Sequence, residues 1–493
     1  MAEPAENRPS FLSRFTVLRG AVRELWIVFA AKVLAIVAYG VMNMTLVLWL
    51  SSDLGYSDKE ANSIIIPVWS GLMTFFTVLV GSLVDAIGLR KAFLLGFAVC
   101  VFSRGLLTFA DAPWLALGLG LLPLALGEAL MTPVMVAAVR RYSTTAQRSI
   151  SFSIFYVMMN VGFAISGWVF DHVRHGQGEY GHYTLPVLGV ELSTYRTLFL
   201  LSFLFSLPGL ALMYFGLRDG VEATDEGVKI TVEQPKYGAE PVLRALRLMM
   251  RDALRDTVRI FSGLWRQPAF YKFLIFLSLV VAVRFIMYHM HYTYPKFGIR
   301  ELGEGAPIGR LWALNQILII CLVPVVGALT QRISAYRMVV FGSFILALSV
   351  FFMALPVRWL QPLADGQPGH LIAHVWLGTT GAVSPYYIAI FLFVVFLSVG
   401  EAFWSPRLYE YTAAIAPKGQ EASYMSLSYL PFFVAKLFVG SLSGLMLARY
   451  CPAEGPRDSQ MLWLLIAVPT LITPLGLLAL RRYIRVHEAG RED

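Results

Sequence analysis

The sequence predicts an all-α membrane protein, a bundle of about twelve spanning helices arranged as two pseudo-symmetric six-helix halves. Three observations predict it. Of 493 residues, 57% are hydrophobic and 14% charged, against the ~25% charge of an ordinary soluble domain, and the mean hydropathy is +0.65. The apolar residues gather into runs long enough to cross a hydrocarbon core, which takes about 20 residues of helix. One short motif also occurs twice, at equivalent places in the first six and the last six runs. Disordered, collagenous and disulfide-stapled secreted classes are excluded by the same composition.

The runs fall at 24–50, 61–84, 91–110, 113–138, 149–171, 196–217, 270–296, 307–330, 338–356, 385–412, 422–448 and 460–480. The longest are expected to tilt or to extend past the bilayer. Ahead of the first, Met1 to Ser13 is polar, and the run that follows is too long for the apolar core of a secretory signal. The opening therefore reads as a short cytoplasmic tail. Orientation follows from the connections. One alternate set carries Arg14, Arg19, Arg23, Arg90, Lys91, Arg140, Arg141, Arg148, Arg332, Arg337, Lys418, Arg481, Arg482 and Arg485. The other holds Lys59, Arg174, Arg358 and Arg457, with Lys296 and Arg300 after the seventh run as its exception. Lys and Arg collect on the cytoplasmic side, so the first set and both termini are expected there, in a plasma (inner) membrane. The same asymmetry accounts for the net charge of +9 without nucleic acid. The three cysteines, Cys100, Cys321 and Cys451, give neither a disulfide frame nor a zinc ribbon.

The connection at the midpoint divides the chain into an N-terminal bundle (1–217), a cytoplasmic linker (218–268) and a C-terminal bundle (269–493). The linker opens polar and flexible from Asp219 to Pro241. It then reads as a basic amphipathic helix, Pro241-Val-Leu-Arg-Ala-Leu-Arg-Leu-Met-Met-Arg-Asp-Ala-Leu-Arg, suited to the inner membrane surface. The halves repeat each other. Gly127-Glu-Ala-Leu-Met-Thr-Pro133 in the fourth run recurs as Gly400-Glu-Ala-Phe-Trp-Ser-Pro406 in the tenth. Gly81-Ser-Leu-Val-Asp-Ala-Ile-Gly-Leu-Arg-Lys91 has a weaker echo in Gly327-Ala-Leu-Thr-Gln-Arg-Ile-Ser-Ala-Tyr-Arg337. Parallel repeats joined by a linker imply two bundles about an axis along the membrane normal, with a site between them near the midplane.

The Gly81 to Lys91 stretch resembles the cytoplasmic signature of the major facilitator superfamily, G-x-L-x-D-x-x-G-x-[RK]-[RK]. Gly81, Leu83, Asp85, Gly88, Arg90 and Lys91 match it. The resemblance implies a major-facilitator-type bundle in which Gly81, Asp85, Gly88, Arg90 and Lys91 form a cytoplasmic gate, its short loop latched by charge-assisted bonds. Four further stretches are similar to the proton-dependent oligopeptide transporters: Tyr39-Gly40 with Leu46 to Ser57, Phe152 to Gly162, Leu314 to Pro324 with Gln316 where proline is usual, and Gly400 to Pro406. What this implies is a divergent member of that family, with Asn160, Asn315 and Glu401 contacting substrate and Tyr39 and Tyr156 supporting the pocket. The family's E-x-x-E-R of the first helix is absent, its places held by Ala31, Leu34 and Ala35, and Thr132 stands where the fourth helix has lysine.

Ionisable residues at membrane depth are costly and mark function. Here they are Lys32, Glu128, Arg284, Glu401 and Lys436, with Arg104 less deep. Lys32, Tyr39 and Asn43 share one helical stripe, and Lys32 and Glu128 are placed to pair across the first half, as a coupling pair or a static one. In the second half Glu401 and Ser405 stack one turn apart, as do Arg284, Tyr288 and His291, with Lys436 mid-span on the eleventh run. Glu401 then has two cationic partners. Lys436 suits either the substrate's carboxylate or Glu401 itself, and Arg104 reads as a helix tether. Trp69, Trp312 and Tyr292 are further candidates for the cavity wall. His289 and His291 lie on different faces, and His370 with His374 lacks further ligands, so no metal is expected. Without a P-loop, ATP drive is not supported, and no cofactor or enzymatic constellation is expected. The reading is a monomeric secondary active transporter that moves a small polar, peptide-like or zwitterionic solute by alternating access, with protons as the expected drive. An exporter of amphipathic or cationic compounds and a non-transporting receptor or scaffold are the alternatives.

Overall fold

Twelve long helices stand where the sequence predicts them among the described residues of the computed structural model, which are 16–485 without 187–188, 231–243, 331–332, 416–429 and much of 245–264. Numbered in chain order, they are α1 (Arg23–Ser52), α2 (Ile66–Ile87), α3 (Leu89–Phe109), α4 (Leu122–Arg141), α5 (Thr145–Gln177), α6 (Thr194–Ala211), α7 (Pro268–Tyr292), α8 (Ile308–Leu329), α9 (Ala335–Ala354), α10 (Pro385–Ile415), α11 (Leu430–Tyr450) and α12 (Ser459–Thr470, continued by Ile472–Ala479). Ten stretches among them are long and apolar enough to cross a membrane. α2, α4 and α6 are lengthened by π-helical turns at Ala61–Ile65, Ala116–Leu121 and Leu212–Gly216.

The ends follow local chemistry. Ser57 and Glu60 form a capping box ahead of α2, and Thr144 and Gln147 another ahead of α5. Ser193, Ser334 and Asp458 each accept an N–H at the start of α6, α9 and α12. These side chains satisfy donors that a helix start leaves orphaned. Gly88, between α2 and α3, takes φ +87°, a conformation costly for any residue with a Cβ.

Within each half, neighbouring helices meet on glycine. A Cβ at Gly127 would lie 2.7 Å from Cys100 Sγ, and one at Gly96 would lie 2.4 Å from Met131 Cε. The second half repeats this: a Cβ at Gly400 would lie 2.7 Å from the Leu346 nitrogen, and one at Gly342 would lie 2.7 Å from the Gly400 carbonyl. The glycine that opens each G-E-A-x-x-[ST]-P copy is therefore a backbone contact, α4 on α3 and α10 on α9. Between the halves the packing runs α5 on α8, α2 on α11 and the ends of α1 and α7.

Two expectations need correction. The seventh run does not continue to 296. α7 stops at Tyr292 and a separate helix, Tyr294–Leu302, begins, with Pro295 in its first turn where a missing N–H is harmless. The linker does not open flexible: β3 (Val221–Thr224) pairs antiparallel with β4 (Gly227–Ile230), and Arg141 Nε donates to the Val221 carbonyl at 3.0 Å. A smaller hairpin, β1 (His182–Thr184) with β2 (Glu191–Ser193), joins α5 to α6. The amphipathic helix expected over 241–255 lies largely outside the described residues. Those described there, Arg244, Arg247, Leu248, Arg251, Asp252, Leu254 and Arg255, are helical. The N-terminal tail lies outside them as well.

Candidate functional site

The polar side chains of mid-membrane depth gather at the seam between the halves. On the first half, Tyr39 of α1 is half-buried, edge-on to Phe163 of α5 at 6.3 Å. It lies within coulombic range of Glu128, Tyr288 and Tyr292, so α1, α4 and α7 converge there. On the second half, Lys436 sits over the Tyr288 ring at 5.7 Å and Arg284 over the Trp404 ring at 5.5 Å. His291 meets Trp312 edge-on at 6.5 Å. Tyr292 reaches across to Ser70 of α2 at 3.2 Å.

Glu401 is half-buried in α10. Its Oε2 accepts a hydrogen bond from Asn315 Nδ2 at 3.1 Å, and the same amide reaches Ser398 Oγ at 3.0 Å. Gln316, standing where the resemblance has proline, donates to Asn315 Oδ1 at 2.8 Å and so fixes which end of that amide points at the carboxylate. Arg284 is in coulombic range of Glu401. The structure thus brings Glu401, Asn315, Arg284, Lys436, Tyr288 and Tyr39 to one level. Asn160 is different: its amide turns back on its own helix, donating to the Tyr156 carbonyl at 2.8 Å. Tyr156 itself is half-buried.

The first-half pair is not the expected one. Glu128 Oε1 is bonded by Arg104 Nη2, and Arg104 Nη1 donates to Ser206 Oγ of α6 at 2.5 Å. The register of the glycine contacts explains it. α3 and α4 run antiparallel with Cys100 opposite Gly127, so Arg104 rises beside the turn that carries Glu128. Lys32 is buried over the Phe155 ring at 4.6 Å, in coulombic range of Glu128. The equivalent of Arg104 on α9, eight residues beyond Gly342 as Arg104 is beyond Gly96, is buried Val350. The two repeat carboxylates therefore have different partners.

Contacts across the seam lie toward the end opposite the termini. A Cβ at Gly167 would lie 2.5 Å from the Gly309 carbonyl, so α5 and α8 touch by backbone. Asp171 of α5 accepts the Gly309 and Arg310 N–H groups at 2.8 and 2.5 Å, capping α8 from the other half. Arg174 donates to the Ala306 carbonyl at 3.1 Å and pairs with Glu179, which also accepts from the Tyr195 hydroxyl at 2.7 Å. At the other seam Lys296 bonds Ser51 and Asp58, and Arg300 Nη2 pairs with Asp58 at 2.8 Å. Burial pushes the Asp58 carboxyl up, but Lys296 and Arg300 outweigh it and hold the group below the usual carboxylate range. In the sequence these cations stand out only as loop charge. The signal was there in the excess of Lys296 and Arg300 on the poorer side, facing Asp58.

At the signature loop, Arg90 ties the start of α3 to the end of the first half and the start of the linker: it donates to the Tyr214 carbonyl at 2.8 Å and pairs with Asp219 at 3.1 Å. Lys91 is exposed. The side chains of Gly81 to Asp85, like that of Thr132, lie outside the described residues. His289 bonds Thr293 Oγ1 at 2.8 Å and Ser443 Oγ at 3.1 Å, and His374 Nδ1 meets the Thr379 carbonyl at 2.7 Å. No group of metal-binding side chains occurs among the described residues.

The family model described as Major Facilitator Superfamily matches residues 28–365. No curated protein sequence matches. Among solved structures, a POT family transporter in complex with 5-aminolevulinic acid is 16% identical, with 94% of this chain and 97% of that chain covered at a TM-score of 0.69. The same values hold for a POT family transporter bound to a thioalcohol-conjugated peptide. A peptide transporter POT in complex with sulfate is 17% identical over 96% of this chain and 98% of that one, at a TM-score of 0.68. The likeness to these structures is one of fold over nearly the whole chain, and the chain belongs to the Major Facilitator Superfamily of secondary transporters.

Proposed function

We propose that the protein moves a small zwitterionic or peptide-like solute through the seam by alternating access, with protons as the driving ion. The observation that carries the reading is the cluster on the second half. A half-buried carboxylate, Glu401, is oriented by Asn315 and stands near the Arg284 guanidinium, and Lys436, over the Tyr288 ring, is in turn near Arg284. Those are the complements of a substrate's amino and carboxyl ends. Solved transporters of this fold hold 5-aminolevulinic acid and a peptide conjugate, which supports a ligand with both groups. The cross-seam contacts at the end away from the termini support a state closed there and reached from the terminal side, which we assign to the cytoplasm. In this reading residues 1–217 and 269–493 rock as bodies tethered by 218–268, Glu401 alternates between proton and substrate, and the chain works as a monomer in the inner membrane. Asp85 with Gly81, Gly88, Arg90 and Lys91 closes the cytoplasmic side in the opposite state.

The test is flux. Purified protein in liposomes, given pH and voltage gradients and a panel of dipeptides, amino acids and amino-carboxylates, is expected to accumulate at least one solute when the acceptor side is alkaline. Absence of flux for every solute removes the transporter reading. Flux indifferent to the proton gradient removes the coupling.

A further inference from the structure

The connection from α9 to α10, residues 355–384, is not a plain loop. It holds a helix, Val357–Ala364, and a π-helical turn, His370–Trp376, joined through a short helical turn at Gln367–Gly369. Each piece carries three separate stripes. On the helix, Leu360 and Ala364 are buried, and this side packs on α10. Trp359 and Leu363, four residues apart, form a second stripe and are 61% and 42% exposed. Arg358, Gln361 and Asp365 form a third, exposed and polar, with Gln361 Nε2 donating to Asp365 Oδ1 at 2.9 Å. The π-helical turn repeats the pattern. Ile372 and Ala373 are buried, Leu371 and Val375 are 54% and 66% exposed, and His370 with His374 makes the polar edge, the two rings edge-on at 5.3 Å.

A helix between protein and water needs two faces, one apolar and one polar. A further apolar stripe, uncovered by the protein, calls for a third medium. The neighbouring helices say which. Trp376 packs edge-on against Phe391 of α10 at 6.2 Å, five residues ahead of the exposed Phe396. Phe396 in turn meets Phe352 of α9 at 4.9 Å, and Phe341, Phe344 and Leu348 of α9 are exposed as well. Both helices are apolar enough to cross a membrane, so hydrocarbon covers this row, and the connection joins it at the headgroup level. Tryptophan is at home there, its ring in the apolar boundary and its N–H toward water. An arginine beside it keeps its charge in water. We propose that residues 357–376 lie along the membrane–water interface at the end away from the termini, with Trp359, Leu363, Leu371 and Val375 in the lipid and Arg358, Gln361, Asp365 and His370 in water. The partner of this surface is the bilayer. The proposal rests on the membrane-spanning fold and not on the solute carried.

The test reads the medium around each stripe. In a full-length background where Cys100, Cys321 and Cys451 are replaced, Leu363→Cys, Val375→Cys, Gln361→Cys and His370→Cys each carry a nitroxide, and the protein is reconstituted in liposomes. Collisions with oxygen, which concentrates in hydrocarbon, are compared with collisions with a water-soluble nickel chelate. The oxygen-to-nickel ratio at 363 and 375 is expected to exceed that at 361 and 370 by roughly threefold or more, as an apolar face sunk about 5–10 Å into the boundary requires. Equal ratios at all four positions put the whole connection in water and overturn the proposal. Few collisions with either reagent at 363 and 375 show that protein covers the stripe and also overturn it. Spin–spin broadening that fades on dilution with unlabelled protein would then identify the cover as a second copy of the chain. A second measurement needs no cysteine. Lipids brominated near the headgroup should quench more tryptophan fluorescence in the unmodified protein than in Trp359→Phe. An equal loss of intensity in the two places Trp359 outside the lipid and overturns the proposal.

Discussion

Glu128 and Glu401 occupy the same place in the same heptapeptide, yet their surroundings assign them different duties. Glu128 is engaged by Arg104, which Ser206 holds from a third helix, and both charged side chains are almost fully buried. Removing one partner strands the other, and breaking a buried pair costs about 3–5 kcal/mol. Glu128→Gln and Arg104→Gln are each expected to lower the unfolding temperature sharply, and the double variant to lose less than the sum of the two. A double-mutant cycle that comes out additive would show that the pair is not the source of the loss. Glu401 instead accepts from a neutral amide, so Glu401→Gln leaves no bonded cation behind. It is expected to spare folding and to weaken ligands with a free amino group by about 1.5–3 kcal/mol, the scale of a hydrogen bond to a charged group. Ligands with a blocked amino group should lose little. Equal losses for free and blocked ligands would remove the substrate role.

Between helices the same residue type separates stability from cycling. Gly127 and Gly400 pack α4 on α3 and α10 on α9 inside a half, whereas Gly167 and Gly309 meet across the seam. A valine at Gly127 must push Cys100 aside in a contact that exists in every state, and overpacking of this kind costs about 1–3 kcal/mol. It should lower thermal stability. A valine at Gly167 collides with the α8 backbone only while that end is closed, so it should leave unfolding nearly unchanged and hold the seam apart, slowing transport at constant substrate affinity. A fall in unfolding temperature equal to that of Gly127→Val would count against a moving seam. The twelve runs were legible because hydrocarbon thickness alone sets their length. Glu401 was legible through the repeat and the cost of charge in lipid, Arg284 through that cost, and Asn315 through the family resemblance of Leu314 to Pro324. The partner of Glu128 was not: Lys32 and Arg104 are equally cationic in a sequence, and only the glycine register that sets α3 against α4 chooses between them. Asp171 was invisible for a like reason, since it caps a helix of the other half. The break at Thr293 and the linker hairpin depend on Pro295 and on Arg141 reaching Val221, local signals outweighed by apolar length and polar composition.

Across the whole molecule, closure at the end away from the termini rests on two latches set on separate seams, Asp171 with Arg174 against α8 and Asp58 against Lys296 and Arg300. Two attachment points resist rocking better than one, because a single pivot still allows rotation about itself. Removing one latch should therefore weaken closure, and removing both should abolish it. Asp58→Asn leaves Lys296 and Arg300 without their carboxylate, and Asp171→Asn takes the charge from the cap of α8. Ser70, buried against Tyr292, reports on the seam. In a background where Cys100, Cys321 and Cys451 are replaced, Ser70→Cys should react slowly with an impermeant maleimide, faster with either latch variant, and fastest with both. The second latch also carries a sign in pH. Lys296 and Arg300 hold Asp58 below the usual carboxylate range when the seam is closed, and opening returns it toward an ordinary value of about 4. A carboxyl depressed in one state favours that state above its ordinary pKa and ceases to do so as pH falls through the depressed one. Labelling of the Ser70→Cys protein, divided at each pH by the rate for a fully accessible reference thiol because only the thiolate reacts, should thus be slow and flat from pH 8 to 6 and rise as the pH falls below about 4. The Asp58→Asn variant, with no carboxyl to protonate, should start faster and lose that rise. A rise of the same size in the variant would place the titrating group elsewhere and take the pH response from this latch.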